Sequence, residues 1–263
     1  MAGESFPAVD LEPPEETITR NLVVLLLDAS ASMREVDSDS SGRKHSTTKE
    51  AALRAALDVF LGVEVHDEAK LEANGELAIL SFGNNMVTPL ALGTPVAKGS
   101  PFHFIRYVHS APHFRSNGNT PMGAAIKQAL QVVNDRKDSL AASGITHEFR
   151  PNIFLLTDGK PNDPPGVLDR AVEELHAEEA RNGVLLWALG TRDANLGYMR
   201  WIADKGNYIP LPDNSLAQYL KFVSKSMRRQ DRFGQQEDAQ SIYQEVVRSS
   251  SFNQAVDKFI SNG

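Results

Sequence analysis

The stretch that decides the fold reads Leu22-Val23-Val24-Leu25-Leu26-Leu27-Asp28-Ala29-Ser30-Ala31-Ser32. Its first six residues form an unbroken apolar run of strand length. A strand that is apolar on both faces is typical of a parallel sheet covered by helices on both sides. Ligands of such sheets bind beyond the carboxyl ends of the strands. The carboxylate and the two hydroxyls that follow this run are therefore the first candidates for a functional site.

The rest of the chain alternates strand patterns with helical repeats. Further strands are predicted at 76–82, 86–90, 152–157, 184–189 and 207–211. Helices are predicted at 50–63, after Thr120-Pro121, after Asp163-Pro164, at 196–203 and at 214–227. The tight turn Gly83-Asn84-Asn85 makes 76–82 and 86–90 an antiparallel pair. The pattern predicts an α/β, doubly wound fold with a mainly parallel six-stranded sheet, one antiparallel edge strand and helices on both faces.

Composition changes at both ends of this region and suggests three segments. Residues 1–20 are rich in Glu, Asp and Pro, which is typical of a flexible arm. Residues 21–229 carry the strand and helix patterns and form the predicted domain. Beyond Arg229 the chain turns polar and then shows two short helical patterns, so 230–263 is predicted to be a C-terminal helical extension.

The composition excludes several classes of function. The chain has 263 residues, 41% apolar and 23% charged, which suits an ordinary globular domain. Its net charge of −7 and the lack of a Lys/Arg run disfavour binding to nucleic acid. With no cysteine, there are no disulfides, no thiolate catalysis and no cysteine-based zinc site.

The sequence also favours a protein of the cytoplasm. The first residues lack the basic and apolar regions of a secretory signal. No apolar run approaches the roughly 20 residues that a membrane helix needs. We therefore expect a cytoplasmic protein without a membrane partner.

Five oxygen-bearing side chains follow the strands or precede a helix, on three separate loops. They are Asp28, Ser30, Ser32, Thr120 and Asp158. The topology would bring two carboxylates and three hydroxyls to one edge of the sheet. Hard cations such as Mg²⁺ prefer oxygen ligands, and Mg²⁺ usually keeps some waters. These residues are therefore the predicted metal ligands, with at least one coordination position left open.

The same motifs resemble the metal-ion-dependent adhesion site of von Willebrand factor type A (vWA) domains. The resemblance rests on Asp28-x-Ser30-x-Ser32, on Thr120 before Pro-x-Gly, and on Thr157-Asp158-Gly159. It implies that the hydroxyls bind the metal and that the two aspartates bind it directly or through water. It also implies Mg²⁺, with Mn²⁺ or Ca²⁺ as alternatives, and a protein partner that supplies an Asp or Glu. In the family the last helix, here 214–227, can shift when that carboxylate arrives.

A looser resemblance connects the chain to bacterial stand-alone vWA proteins of the TerY tellurium-resistance type. It rests on the compact size, on residues 155–163 and on the strand end Trp187-Ala188-Leu189-Gly190. It implies an adaptor in a bacterial stress-response or defence system. Partners would include a Ser/Thr kinase or a PP2C-type phosphatase. Neither resemblance implies catalytic or organic-cofactor-binding residues, so we do not expect an enzyme.

The alternative from another class is a Mg²⁺-dependent phosphatase of the haloacid-dehalogenase kind. Such enzymes also place an Asp after the first buried strand, but they need a second Asp two residues later to protonate the leaving group. Ser30 occupies that position here. A dinucleotide-binding enzyme is disfavoured because no Gly-x-Gly-x-x-Gly follows the first strand.

Several residues and segments also have structural interpretations that involve no metal. Thr120 and Asp163 each precede a proline, so each is a candidate N-cap of the helix that follows it. Thr47 and Glu50 fit a capping box for the first helix. Within the 34–48 segment, residues 37–42 match the first half of an EF-hand loop, but Thr48 stands where the bidentate Glu belongs. It is therefore predicted to be a solvated loop, with a second ion site as the alternative.

Overall fold

The structure, a computed structural model, describes most of the predicted domain. The described residues are 19–38, 44–67, 69–147, 149–158, 160–190, 194–204, 207–210 and 216–228. The predicted arm, apart from residues 19 and 20, and the predicted extension at 230–263 lie outside these ranges. Those two segments therefore stay predictions.

The centre of the molecule is one mixed sheet. Its strands are β1 (Thr19–Asp28), β4 (Gly75–Gly83), β5 (Met86–Pro89), β6 (His103–Phe104), β7 (Thr146–His147), β8 (Asn152–Thr157), β9 (Leu185–Gly190) and β10 (Tyr208–Pro210). The order along the main path is β10-β9-β8-β1-β4-β5, and only β5 on this path is antiparallel to its neighbour. This confirms the predicted six-stranded sheet with one antiparallel edge. The two-residue strands β6 and β7 add to it by pairing with β4 and β1.

Helices cover both faces of the sheet. They are α1 (Lys49–Val59), α2 (Ala69–Asn74), α3 (Met122–Ala142), α4 (Val167–Ala180), α5 (Leu196–Ile202) and α6 (Leu216–Arg228). A π-turn at Phe60–Glu64 extends α1, and short 3₁₀ turns occur at Ala31–Arg34 and Ile105–Tyr107. Within the described part of the chain, no helix has both the length and the apolar character needed to cross a bilayer.

The alternation along β1 explains why the strand is apolar throughout. Val23, Leu25 and Leu27 belong to one core cluster, which also includes residues of α1 and α6. Leu22, Val24 and Leu26 belong to the other cluster, with residues of α3 and α4. All six side chains are fully buried, because successive residues of a strand point to opposite faces and both faces are covered. Each buried Leu or Val of this kind contributes about 1.5–3 kcal/mol to folding.

An aromatic cluster attaches the last helix to the sheet. The ring of Trp187 in β9 lies 5.3 Å from the ring of Phe222 in α6 and 6.2 Å from that of Phe154 in β8. The indole Nε1 donates to Asn152 Oδ1 at 2.9 Å, so the one polar atom of this ring is satisfied inside the core. The position of α6 is therefore linked to the central strands through Trp187.

A buried ion pair lies at the start of β4. The guanidinium of Arg136 in α3 donates to both carboxylate oxygens of Glu76, at 2.6 and 2.7 Å. Glu76 is fully buried, and Arg20 Nε lies 3.3 Å from its Oε1. The bidentate geometry compensates for the loss of hydration of the carboxylate.

The 34–48 segment differs from the predicted loop. Two short strands, β2 (Val36–Ser38) and β3 (Lys44–Thr48), pair antiparallel, with Val36 opposite Thr48 and Ser38 opposite Lys44. The prediction of a loop was wrong for these strands because the abundance of Ser and Asp hides the β-branched residues that pair. Residues 39–43, which hold part of the EF-hand-like pattern, lie outside the described ranges.

Candidate functional site

The ends of two central strands and the loop before α3 meet at one edge of the sheet. β1 and β8 are neighbours in parallel register, with Leu27 opposite Leu156, so Asp28 and Thr157 leave the sheet side by side. The loop before α3 is held against the end of β1, since the Asn117 amide donates to Ala29 O at 2.8 Å. The three segments that carry the predicted ligands are thus brought together by the strand order itself.

Two glycines, one at the end of β4 and one in the loop before α3, allow close backbone contacts around this loop. A Cβ on Gly83 would lie 2.2 Å from Ala29 O, so only glycine allows the end of β4 to approach β1 so closely. Gly118 has φ +66°, and a Cβ there would lie 2.6 Å from the Cα of Asn84. Its carbonyl accepts from the Ala31 amide at 2.9 Å. The loop before α3 therefore packs between the Ser30 segment and the β4–β5 turn.

Asp28 is completely buried at the centre of this edge. Its Oδ1 accepts from the Ser30 amide at 2.8 Å and its Oδ2 from the Thr157 hydroxyl at 2.5 Å. Burial raises the pKa of Asp28 to about 6; the hydrogen bonds from Thr157 and Ser30 oppose this rise, and the negative charge of Asp158 adds to it. The protein therefore holds this carboxylate where a compensating positive charge would stabilise it.

A chain of hydrogen bonds joins Asp28 to Asp158. The Ser30 and Ser32 hydroxyl oxygens lie 2.9 Å apart, and the Ser32 hydroxyl donates to Asp158 Oδ1 at 2.7 Å. Together with the contact of the Ser30 amide on Asp28, this connects four of the five predicted residues. The structure thus brings Asp28, Ser30, Ser32 and Asp158 together, as the sequence predicts.

Lys49 is a member of this cluster that sequence reasoning missed. Its Nζ lies 2.7 Å from Asp158 Oδ2, and the side chains of Lys49 and Asp158 are 5% and 0% exposed. Lys49 is the first residue of α1, whose N-cap is Thr48, with a side chain that accepts from the Ala51 amide. The predicted capping box at Thr47 was therefore wrong by one residue. The cap indicates where α1 begins, but no signal in the sequence indicates that the side chain of Lys49 contacts Asp158.

Thr120 is buried at the end of the loop before α3, with a residue exposure of 4%. Its backbone is held by Asn162, whose amide donates to Thr120 O at 3.0 Å and whose Oδ1 accepts from the Thr120 amide at 3.3 Å. The loop after β8 therefore fixes the position of Thr120. No protein hydrogen bond of the Thr120 hydroxyl is found within the described ranges, so this hydroxyl is available as a ligand.

Neither proposed N-cap role holds. The cap position of α3 is Pro121, and the first amides of the helix, from Gly123 and Ala124, donate to the Asp163 carboxylate at 2.9 and 3.3 Å. Asp163 therefore caps α3, while α4 begins later, after Gly166. The prediction that Asp163 caps the helix after it was wrong, because a carboxylate can reach a helix that precedes it in the chain. Thr120 does not cap α3, so its hydroxyl is not used for capping.

A cleft lined by two arginines, a histidine and a glutamate lies at the start of α1. It has a volume of about 560 Å³ and is lined by Glu50, Arg54, His113, Phe114 and Arg115. Glu50 follows Lys49 directly, and its Oε2 accepts from the Ser116 amide at 2.8 Å, so the cleft lies between the start of α1 and the loop that leads to Thr120. In addition, Lys160 is exposed two residues after Asp158. Two arginines and an exposed lysine thus lie on or next to segments that carry predicted site residues.

The donor set fits a hard divalent cation. It offers two carboxylates and three hydroxyls, all oxygen and all on short side chains. Nitrogen and sulfur donors, which transition metals prefer, are not among the predicted ligands. Asp28, Ser30, Ser32, Thr120 and Asp158 would hold the ion, which would supply a Lewis-acidic point of attachment.

A second group of possible cation ligands lies on α4 and after α5. The ligand atoms of His176, Glu179 and Asp204 are within 4.8 Å of one another. Nε2 of His176 contacts Ile202 O at 3.1 Å, and Glu179 Oε1 accepts from the Leu186 amide at 2.9 Å. These contacts join α4 to α5 and β9, so the group has a structural role without an ion.

Comparisons with known proteins agree with this architecture. The family model described as von Willebrand factor type A domain matches residues 23–160. The proximal thread matrix protein 1 of the mussel byssus has a TM-score of 0.52 at 17% identity. The match covers 81% of this chain and 49% of the mussel protein. The SpRpn10 VWA domain has a TM-score of 0.51 at 15% identity, and the match covers 77% of this chain and 95% of that domain. The TFIIH p34 N-terminal domain has a TM-score of 0.51 at 19% identity, and the match covers 78% of this chain and 98% of that domain.

These similarities concern the fold, since all three structures are below 25% identical to this chain. The chain spans about half the length of the mussel protein. No curated protein sequence matches the chain.

Proposed function

The chain belongs to the von Willebrand factor type A domain family, and on that premise we propose that it is a metal-dependent protein-interaction module. Domains of this family are generally interaction modules without catalytic activity. In our proposal Asp28, Ser30, Ser32, Thr120 and Asp158 hold Mg²⁺, with Mn²⁺ or Ca²⁺ as alternatives. A carboxylate of a partner protein completes the coordination shell.

The observation that carries the proposal is the hydrogen-bonded chain from Asp28 through Ser30 and Ser32 to Asp158. It gathers two acidic groups and two hydroxyls from different loops, and three of these four residues are buried. The raised pKa of Asp28 supports the same conclusion, since a buried carboxylate at this edge lacks enough positive charge to offset its burial. A divalent cation would provide that charge.

The surroundings of the site support an acidic partner. Arg54 and Arg115 line the cleft beside the start of α1 together with Glu50, and Lys160 is exposed two residues after Asp158, while the chain as a whole carries a net charge of −7. Basic side chains beside a metal attract acidic segments and accelerate their encounter with the site. The carboxylate on the metal would then form the central contact, and the arginines would contact neighbouring acidic residues.

The biological context follows from the looser resemblance. We propose that the protein works in the cytoplasm as an adaptor in a bacterial stress-response or defence system. A Ser/Thr kinase or a PP2C-type phosphatase is the proposed partner. The resemblance of residues 155–163 and 187–190 to TerY-type proteins supports this assignment.

The rival phosphatase lacks a required group. Ser30 stands where the general acid of that mechanism is needed, and its hydroxyl lies against Ser32. An assay with a generic aryl phosphate as substrate distinguishes a phosphatase from an interaction module. We expect no Mg²⁺-dependent hydrolysis, and turnover that depends on Asp28 would favour the enzyme.

The metal part of the proposal is tested by thermal unfolding. At a concentration 100 times the dissociation constant, Mg²⁺ or Mn²⁺ should raise the melting temperature by roughly 5–10 °C, since only the folded state binds it. Asp28→Ala should abolish this shift, while Asp135→Ala, on the exposed side of α3, should keep it. An equal shift in the Asp28 variant would contradict the proposed site.

Partner capture tests the interaction itself. A lysate of the native host is passed over the full chain with Mg²⁺ or with EDTA, and the proteins lost in EDTA are identified. Asp28→Ala should lose the same proteins. Capture that persists in EDTA and in the variant would exclude a metal bridge.

A further inference from the structure

We propose that residues 1–18, the acidic arm, bind across a patch of stacked arginine and aromatic side chains beside the start of β1. The patch consists of Arg20, Phe104, Arg106 and Tyr107. The acidic arm is the part of the predicted N-terminal arm that lies outside the described ranges. The inference goes beyond the proposed function and does not depend on it, because the predicted metal site lies at the opposite end of β1.

The patch is built around the ring of Phe104, the last residue of β6. β6 pairs with the start of β4, where Phe104 lies opposite Glu76, and Arg20 of β1 reaches the same carboxylate. The guanidinium carbons of Arg20 and Arg106 lie 5.3 and 4.9 Å from the centre of the Phe104 ring. That of Arg106 also lies 5.0 Å from the centre of the Tyr107 ring. The rings attract the two cations and hold them next to each other.

Arg106 and Tyr107 present this stack to solvent. Tyr107 is 60% exposed and Arg106 is exposed, while the preceding Ile105 is fully buried and anchors the turn that carries them. Within the described ranges no carboxylate pairs with Arg106, and Glu72 of the neighbouring helix α2 contacts His66 instead, at 3.3 Å. A guanidinium has five N–H donors, and its contacts with rings leave them available to an acceptor. The exposed arginine and tyrosine are residue types that dominate protein interfaces.

The acidic arm joins the domain directly at this patch, because Arg20 is the second described residue of the chain. The arm contains five acidic and no basic side chains. Glu16 and Glu15 stand three and four residues before the first described residue. An extended chain advances about 3.3 Å per residue, so both glutamates can reach Arg106, which stacks on the same ring as Arg20.

The stretch Pro13-Pro14-Glu15-Glu16 matches the patch in both of its chemistries. The glutamate carboxylates accept charge-assisted hydrogen bonds from Arg106. The two prolines favour an extended conformation and pack on the exposed ring of Tyr107, in the way that proline-rich segments bind aromatic surfaces. Since the arm is covalently attached beside the patch, its effective concentration there is high and individually weak contacts suffice.

The test measures the position of the arm in the full chain. Because the chain has no cysteine, Leu11→Cys in the arm and Gln131→Cys on the exposed side of α3 can carry two spin labels. Double electron–electron resonance then gives the distribution of distances between the labels. We expect a narrow component from the docked arm. A broad distribution without that component would overturn the inference and leave the patch open to another protein.

Variants of the patch assign the narrow component to it. Arg106→Gln removes the charge and should lower the ratio of docked to undocked arm by at least about twofold, and Tyr107→Ser should lower it as well. Arg200→Gln and Tyr198→Ser are the matched controls, since they remove an exposed arginine and an exposed tyrosine from α5, and they should leave the ratio unchanged. Equal ratios in the labelled parent and in Arg106→Gln would contradict docking at this patch.

A charge reversal shows whether the arm and Arg106 are in contact. Arg106→Glu should lower the docked ratio in the parent. In a background with Glu15→Lys and Glu16→Lys, the same substitution should raise the ratio, because opposite charges then face each other again. A loss of docking in both backgrounds would mean that Arg106 only supports the local structure.

Dilution of the labelled protein with an excess of unlabelled full chain identifies whose arm occupies the patch. A narrow component of unchanged weight supports binding within one chain. A component that weakens on dilution would mean that the arm binds a second copy, and the proposed contact within the chain would be wrong.

Discussion

The carboxylate of Asp163 lies 2.9 Å from the backbone nitrogen of Gly123, in a helix that begins some forty residues earlier in the chain. The loop after β8 thereby caps α3. It also holds Thr120 through Asn162. One loop therefore fixes both Asp158, at its own start, and Thr120, at the start of α3. The relative position of these two predicted ligands is set by hydrogen bonds of the loop that do not involve a metal.

Removal of this cap should destabilise the fold. Asp163→Ala leaves the Gly123 and Ala124 amides without their partner and should lower the free energy of unfolding by about 1–2 kcal/mol. Asp163→Asn can still accept one of these bonds and should lose less. Urea unfolding measures both variants. Equal stability of wild type and Asp163→Ala would show that the cap contributes nothing.

The parts of the fold that depend on periodicity could be predicted from the sequence. The run Leu22–Leu27 determined the central strand, and the pair Asn84-Asn85 determined the antiparallel hairpin. Both asparagines have positive φ values, 49° and 59°, which this turn requires and asparagine tolerates. These signals are local, so an isolated sequence contains them. The β2–β3 hairpin was missed because these polar strands lack the apolar alternation that marks a strand.

The predicted ligands illustrate the same limit at the site. Asp28, Ser30 and Asp158 could be found because each directly follows a buried strand, and parallel strands end at one edge. The contact of Lys49 with Asp158, and the helix that Asp163 caps, could not be found. Their partners, Asp158 and Gly123, are 109 and 40 residues away, and lysine and aspartate at helix starts are ordinarily solvated. Only the packed structure reveals that one is buried and the other caps a different helix.

The raised pKa of Asp28 predicts a pH dependence of stability in the metal-free protein. Between the ordinary value of 3.8 and about 6, the folded state binds more protons than the unfolded state, so this group makes the fold less stable as the pH rises through that window. The effect amounts to at most about 3 kcal/mol above pH 6. Asp28→Asn cannot ionise and should lack this loss.

The measurement is denaturant unfolding in EDTA at pH 4.5 and pH 7. The stability of Asp28→Asn relative to wild type should increase from the lower to the higher pH. Comparing the two pH values cancels the fixed effect of replacing one hydrogen-bonding oxygen by an amide. A relative stability that is constant or decreases with pH would contradict the buried, destabilised carboxylate.

The Glu76–Arg136 pair predicts a strong asymmetry between single and double variants. Arg136→Met leaves a fully buried carboxylate with only the longer contact from Arg20, and should cost about 3–5 kcal/mol of unfolding free energy. Glu76→Leu combined with Arg136→Met removes both charges and should recover much of this loss. Equilibrium unfolding of the two proteins decides the point: a double variant no more stable than Arg136→Met would mean that burial of the charge is not the cause.

The two tryptophans of the chain stand in opposite environments. Trp187 is 1% exposed and contacts Phe222 of α6, whereas Trp201 is 38% exposed on α5. Their fluorescence therefore contains two separable signals: a water-soluble quencher reaches Trp201 and leaves Trp187 emitting. The remaining emission reports the packing of α6 against β9. A displacement of α6 that changes the surroundings of Trp187 would change this emission, without a label attached to the protein.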